Sequence, residues 1–196
     1  MHPDQIEPAM RAVGALLFTT GERYRVVVIG GAALNLLGIV SRATRDVDIV
    51  ALATDDAHLE LTRPQDELPA PLDRAARIVA GDLALPPSWL NCGPAAQWDV
   101  GLPPGFAERV HWKVFPGLDV GVADRLDLVA MKIEAAADQP DANNRHFRDL
   151  LALRPTDAEF AHAAAWLRRT NAGDAYFTLL DQVESHVRIR LAADAG

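Results

Sequence analysis

Two short segments near the start of the chain place the strongest limits on its fold. Residues 25–29 form a β-branched run that ends at Gly30 and Gly31, and residues 32–37 then suit a helix that closes at Gly38. Residues 47–52 first alternate between polar and apolar side chains and then become wholly apolar, as in a strand with a buried middle. The order strand, glycine turn, helix, strand is typical of an α/β protein.

The segments before and after these two strands predict a first helix, an irregular middle region and a hairpin. Apolar residues at helical spacing indicate an amphipathic helix over residues 5–19. Residues 64–116 are rich in proline and turn residues, and we expect a less regular region with one helix near residues 72–80. Residues 109–115 and 118–122 flank a Pro-Gly pair, which predicts a hairpin that extends the sheet.

The last third of the chain is predicted to be helical, over residues 125–137, 145–153, 156–169 and 175–191. Thr156 and Glu159 have the spacing of a capping box. We therefore expect an α/β (α+β) fold with a small mixed sheet flanked by helices. The main domain should cover residues 1–154, and residues 155–196 should form a helical extension packed on it.

Asp46 and Asp48 are the first candidate site residues. They stand two positions apart on a strand, which places both carboxylates on one face while Val47 and Ile49 point into the core. Hard cations such as Mg²⁺ prefer oxygen ligands, and two adjacent carboxylates can share one ion while a triphosphate supplies further oxygens. An Asp-x-Asp pair alone is a weak signal, because many such pairs are solvated strand ends.

The glycine pair is the second candidate feature. Gly30 and Gly31 lack a Cβ where a strand enters a helix, so their N–H groups can approach a phosphate closely. A tight turn without a ligand is the alternative. The spaced glycines of a dinucleotide-binding loop and the Gly-Lys-Ser/Thr of a P-loop are both missing here, which excludes the Rossmann and P-loop interpretations.

Taken together, the glycine pair and the Asp-Val-Asp-Ile strand resemble the signature of the nucleotidyltransferase superfamily. More closely, the chain resembles a small bacterial nucleotidyltransferase-like family of unknown function, similar to abortive-infection nucleotidyltransferase toxins. The resemblance continues through residues 88–91, 127–133 and 136–153. It implies transfer of a nucleoside monophosphate from an NTP, with Mg²⁺ or Mn²⁺ as cofactor.

The same resemblance implies a role for Lys132 and Asp149. Lys132 matches a helix-borne lysine that contacts nucleotide phosphate, and Asp149 matches a later aspartate that completes the site. A lysine ammonium is a compact charge well suited to a triphosphate. A surface lysine, and a surface ion pair of Asp149 with Arg145 or Arg148, are the alternatives.

Four further residues are candidates for the predicted site. Many superfamily members carry a third metal carboxylate on a later strand, for which Asp119 is the first candidate and Asp99 the second. If neither faces the Asp46–Asp48 pair, the metal depends more on the phosphates of the substrate. Arg42 and Thr44 precede the aspartate strand, where they can bind phosphate or the acceptor.

Charge and hydropathy limit the partners. The net charge of −8 argues against broad attraction to nucleic-acid backbones. No apolar run approaches the roughly 20 residues that span a bilayer, and the first residues do not resemble a secretory signal. We expect a cytoplasmic protein that does not associate with membranes.

The sequence leaves two functions open. The first is an enzyme whose acceptor hydroxyl belongs to a small molecule, an RNA end such as that of tRNA, or a protein. The second is a nucleotide-binding or toxin–antitoxin-type regulatory module that has the same fold, performs no chemistry and binds an antitoxin-like partner.

Overall fold

The computed structural model describes residues 1–54, 59–138, 144–170 and 173–194. They form a six-stranded mixed sheet flanked by helices, which confirms the predicted α/β class. Contacts divide the chain into two compact units, residues 1–124 and 125–196. This division falls before the domain boundary predicted after residue 154, and that boundary stays a prediction.

The first unit contains the whole sheet. Its strands are Tyr24–Ile29 (β1), Val47–Ala53 (β2), Leu61–Thr62 (β3), Leu90–Asn91 (β4), His111–Phe115 (β5) and Leu118–Val122 (β6). Its helices are Pro3–Thr19 (α1), Gly30–Leu36 (α2), Ala70–Asp82 (α3), Gln97–Val100 (α4) and Phe106–Arg109 (α5), and Gly93–Ala96 forms a 3₁₀ turn. The strand order is β3-β2-β1-β6-β5, and β4 pairs with β2 beside β3.

Strand directions decide which residues share an edge of the sheet. β1 runs antiparallel to β2 and parallel to β6, while β4 runs parallel to β2. β5 and β6 form the predicted antiparallel hairpin. The carboxyl end of β1 therefore lies beside the amino end of β2 and the carboxyl end of β6.

A β-bulge sets the register between β1 and β2. Val27 pairs with Ala51, but Val28 pairs with Ile49, so β2 has one extra residue at Val50. The Trp98 indole N–H donates to the Val50 carbonyl at 2.6 Å, which provides this irregular position with a hydrogen bond. Because side chains alternate along a strand, the extra residue determines which way the beginning of β2 faces.

The second unit consists of helices, as the sequence predicts: Arg125–Asp138 (α6), Arg145–Leu153 (α7), Asp157–Leu167 (α8) and Asp174–Ala193 (α9). α6 contacts each of the other three. The predicted capping box is confirmed, since the Glu159 N–H donates to Thr156 Oγ1 and the Thr156 N–H donates to Glu159 Oε2. Within the described residues, no helix combines the length and apolar character that crossing a membrane requires.

Helix α1 covers the sheet with a buried stripe of residues at helical spacing, which includes Ile6, Met10 and Val13. Its closest approach is at Gly14, where an added Cβ would lie 2.5 Å from the Pro116 carbonyl oxygen and 3.1 Å from Leu118 Cβ. This oxygen belongs to the backbone of the β5–β6 turn, which cannot move aside as the end of a flexible side chain can. A glycine is therefore required at this contact.

We predict that Gly14→Ala lowers the free energy of unfolding by about 1–3 kcal/mol, because the methyl group overpacks the contact between helix and turn. Gly81→Ala in α3 is the matched control, since a Cβ there meets open space. That change should be neutral or should stabilise the helix by up to about 1 kcal/mol. Urea unfolding of both variants measures the difference, and an equal effect of the two would contradict this view of α1 packing.

Candidate functional site

The two predicted motifs meet at the end of β1. Ile29, the last residue of β1, pairs with Asp48 on β2, and Gly30 follows directly. Gly30 has a φ of +73°, and an added Cβ would lie 2.8 Å from Asp48 Oδ2. Gly30 is thus favoured by its left-handed backbone, and a side chain there would displace the carboxylate beside it.

A short loop brings two more predicted residues to the glycine pair. The Asn35 side chain on α2 donates to the carbonyl oxygens of Gly31 and Arg42, at 3.0 Å each, and so ties the loop to the helix. An added Cβ on Gly31 would lie 3.0 Å from Thr44 Oγ1 and 3.7 Å from an Arg42 guanidinium nitrogen. The glycine pair, Arg42, Thr44 and Asp48 therefore lie together.

The Asp46–Asp48 pair has the alternation expected of a strand. Val47 and Ile49 are fully buried, whereas both aspartates are only partly buried. The Thr44 hydroxyl donates to the Asp46 carbonyl oxygen at 3.1 Å, which fixes the loop against the start of β2. Asp48 lies on β2 and Asp46 lies just before the strand begins, and the placement of both carboxylates on one face stays a prediction.

The two candidates for a third carboxylate are engaged elsewhere. Asp119 pairs with Arg25 in the β1–β6 ladder, four residues or roughly 13 Å along β1 from the level of Asp48. There its buried carboxylate contacts Arg23 at 3.1 Å and Arg25 at 3.4 Å. Asp99 lies on α4 and contacts Arg63 at 2.7 Å. The structure does not bring Asp119 to Asp48, because the parallel register places it at the amino end of β1.

Asp124 is a carboxylate that the sequence reasoning missed. The register pairs Val28 with Val122, so Asp124 follows β6 at the sheet edge where Gly30 follows β1. It contacts His111 Nε2 at 2.8 Å. Within the part of the chain that the structure describes, no three His, Cys, Asp or Glu residues are grouped to hold a metal.

Lys132 and Asp149 form a buried ion pair inside the second unit. The Lys132 ammonium lies 2.8 Å from Asp149 Oδ2, and the two side chains are 9% and 2% exposed. Both surface alternatives are therefore wrong: Lys132 is buried in α6, and the partner of Asp149 is Lys132. A buried ion pair of this kind adds little net stability, because the cost of desolvating both charges offsets much of their attraction.

His146 adds a neutral ring near this pair. Burial is the main cause that lowers the pKa of His146 to about 4, and the charges of Lys132 and Arg145 lower it further. The imidazole is therefore uncharged at neutral pH. It does not compete with the Lys132 ammonium for Asp149.

The sequence model of one protein family matches residues 9–157, well over half of the chain. The chain belongs to the family described as nucleotidyltransferases of unknown function (DUF6036). The resemblance to the nucleotidyltransferase superfamily is thereby confirmed, and the matched range contains the glycine pair, Asp46, Asp48 and the Lys132–Asp149 pair. No curated protein and no solved structure matches the chain.

We predict that Gly30→Ala destabilises this family member more than Gly38→Ala does, by about 0.5–1.5 kcal/mol, because the Asp48 side chain must leave its rotamer. Both glycines have positive φ, but a Cβ on Gly38 meets open space while one on Gly30 meets Asp48. The excess cost should disappear in an Asp48→Ala background, which denaturant unfolding of the four variants measures as a double-mutant cycle. If the excess is unchanged without the Asp48 carboxylate, Gly30 and Asp48 are not in contact.

We also predict that Lys132→Met destabilises the protein by about 3–5 kcal/mol, because it leaves the Asp149 charge buried and unpaired. Lys132→Met/Asp149→Leu should cost less than the two single changes added together. Arg168→Met, which breaks an exposed pair with Asp181 at 3.9 Å, is the control and should change stability by no more than about 1 kcal/mol. Additive effects of the Lys132 and Asp149 changes in urea unfolding would contradict the buried pair.

Proposed function

We propose that the chain is a metal-dependent nucleotidyltransferase that transfers a nucleoside monophosphate from an NTP to an acceptor hydroxyl. One observation carries this proposal: Gly30 contacts the Asp48 carboxylate across the β1–β2 ladder. The backbone of Gly30, which carries no side chain, thus lies beside the carboxylate of Asp48. These are the two groups that a phosphate and its cation respectively require.

The residues at the start of β2 fit a hard divalent cation, Mg²⁺ or Mn²⁺. Asp46 and Asp48 supply carboxylate oxygens at a partly exposed position, and the backbone on both sides is fixed by Thr44 and the β1 ladder. Mg²⁺ is commonly held by one or two carboxylates together with substrate phosphates. We therefore propose a two-aspartate site that the triphosphate completes, without Asp119. The cation would offset the charge that develops on the phosphate and pyrophosphate oxygens.

We assign the phosphates to the glycine side of Asp48. The backbone N–H groups of Gly30 and Gly31 open a helix and have no acceptor within it. Arg42, beside Gly31, can donate two parallel hydrogen bonds to a phosphate, and the Thr44 hydroxyl lies next to it. For Lys132 and Asp149, which lie in the second unit, a role with the nucleotide is a proposal that rests on the family resemblance alone.

The proposed reaction forms one bond and breaks one bond. The acceptor oxygen attacks the α-phosphorus, the bond from that phosphorus to the bridging oxygen breaks, and pyrophosphate leaves with the bonding electrons. The acceptor hydroxyl loses its proton to a base. Asp124 provides a carboxylate at the same edge of the sheet and is our candidate for that base.

The acceptor is proposed only as a class, a hydroxyl group of RNA, protein or a small molecule. A relation to the abortive-infection toxins, together with an antitoxin-like partner, would favour RNA or protein. The net charge of −8 favours an acceptor other than a long nucleic acid.

The proposal predicts NTP binding that requires magnesium. Calorimetric titration with ATP, GTP, CTP and UTP, each with and without Mg²⁺, should show binding of at least one of them only when Mg²⁺ is present. Asp46→Ala/Asp48→Ala should weaken that binding by more than about 100-fold, since loss of outer-shell partners alone costs 10- to 100-fold.

Asp66→Ala/Glu67→Ala is the matched control, because it also removes two neighbouring carboxylates, both of them exposed. It should bind as the wild type does. Equal binding by the two double variants would contradict the aspartate site. Absence of NTP binding by the wild type would contradict the enzyme and the nucleotide-binding module alike, whereas binding without transfer to any acceptor would favour the module.

A further inference from the structure

Asn91 lies next to Asp48 on the side away from the glycine pair. β4 runs parallel to β2, and its register pairs Asn91 directly with Asp48. Paired residues of neighbouring strands project to the same face of a sheet, and the strands lie about 4.8 Å apart. Along this edge the order of residues is thus Asn91, Asp48 and Gly30.

The Asn91 amide is held in one orientation. The Gly93 N–H donates to Asn91 Oδ1 at 2.7 Å, and only the oxygen of an amide can accept this bond. A Cβ on Gly93 would lie 2.8 Å from Oδ1, so the glycine permits the contact. The Nδ2 group, at the other tip of the planar amide, is therefore turned away from this turn with its two N–H donors.

The strand that carries Asn91 is firmly anchored. Trp89, just before β4, is fully buried, and its indole N–H donates to the Ala76 carbonyl oxygen at 3.0 Å. The Val47 N–H donates to the Trp89 carbonyl oxygen, which fixes β4 against the start of β2. Asn91 is thus a preorganised neutral donor one strand away from a proposed metal ligand.

We propose that Asn91 binds a ribose hydroxyl of the nucleoside triphosphate and so distinguishes the ribonucleotide from the form that lacks this hydroxyl. This inference rests on the proposed function, which assigns the phosphates to Gly30, Gly31 and Arg42. Across Asp48 from those residues, the next part of a nucleotide is the sugar, joined to the α-phosphate through one oxygen and one methylene group. A neutral amide suits a hydroxyl, while the phosphates require charge or backbone donors.

Calorimetry with Mg²⁺ tests this proposal. The tightest-binding of ATP, GTP, CTP and UTP is compared with its 2′-deoxy and 3′-deoxy forms on wild type, Asn91→Ala and Asn91→Ser. The wild type should bind the ribonucleotide about three- to tenfold more tightly than one of the deoxy forms, as expected for one hydrogen bond. Both variants should lose this preference and should bind the ribonucleotide about as the wild type binds that deoxy form.

Asn91→Ser separates recognition from folding, because a serine hydroxyl can still accept from the N–H two residues later and keep the turn. Thermal unfolding verifies that each variant is folded. A preference that persists in both variants, or an equal loss of affinity for all three nucleotides, would overturn the ribose assignment and leave the proposed function intact. A wild type that binds no NTP would overturn both.

Discussion

The contact between Gly30 and the Asp48 carboxylate is the constraint on which the rest of the site depends. A backbone with a φ of +73° and no side chain lies where any Cβ would come within 2.8 Å of Asp48 Oδ2. The Asn35 side chain then ties the loop that carries Arg42 to the same glycine helix. The glycine backbone, a cationic side chain and an acidic pair are thereby assembled by local interactions within one unit.

The register of β2 is what brings Asp48 to this position. Without the extra residue at Val50, the beginning of β2 would be shifted by one residue against β1. Because a shift of one residue turns every side chain to the opposite face, Asp48 would then exchange places with a buried neighbour. Trp98 supports the irregular position through its bond to the Val50 carbonyl oxygen. Trp98, which is distant from β2 in the sequence, therefore helps to set the direction of the Asp48 carboxylate.

Much of this arrangement could be predicted from the sequence, because the decisive signals are local. The glycine pair, the alternation around Asp48 and the capping box at Thr156 each depend on neighbours along the chain. The third carboxylate could not be predicted, because the position of Asp119 depends on the parallel pairing of β6 with β1. Likewise, the burial of Lys132 depends on the packing of α6 in the second unit, which its helical periodicity does not specify.

A crystal structure with Mn²⁺ and an NTP analogue whose α- and β-phosphates are bridged by a methylene group would show whether Asp46 and Asp48 hold the metal beside the glycine pair. We expect an anomalous manganese peak within bonding distance of the Asp46 and Asp48 carboxylates, and a triphosphate that contacts the Gly30 and Gly31 backbone. Nucleotide bound at any other surface, or manganese bound without either aspartate, would contradict this expectation.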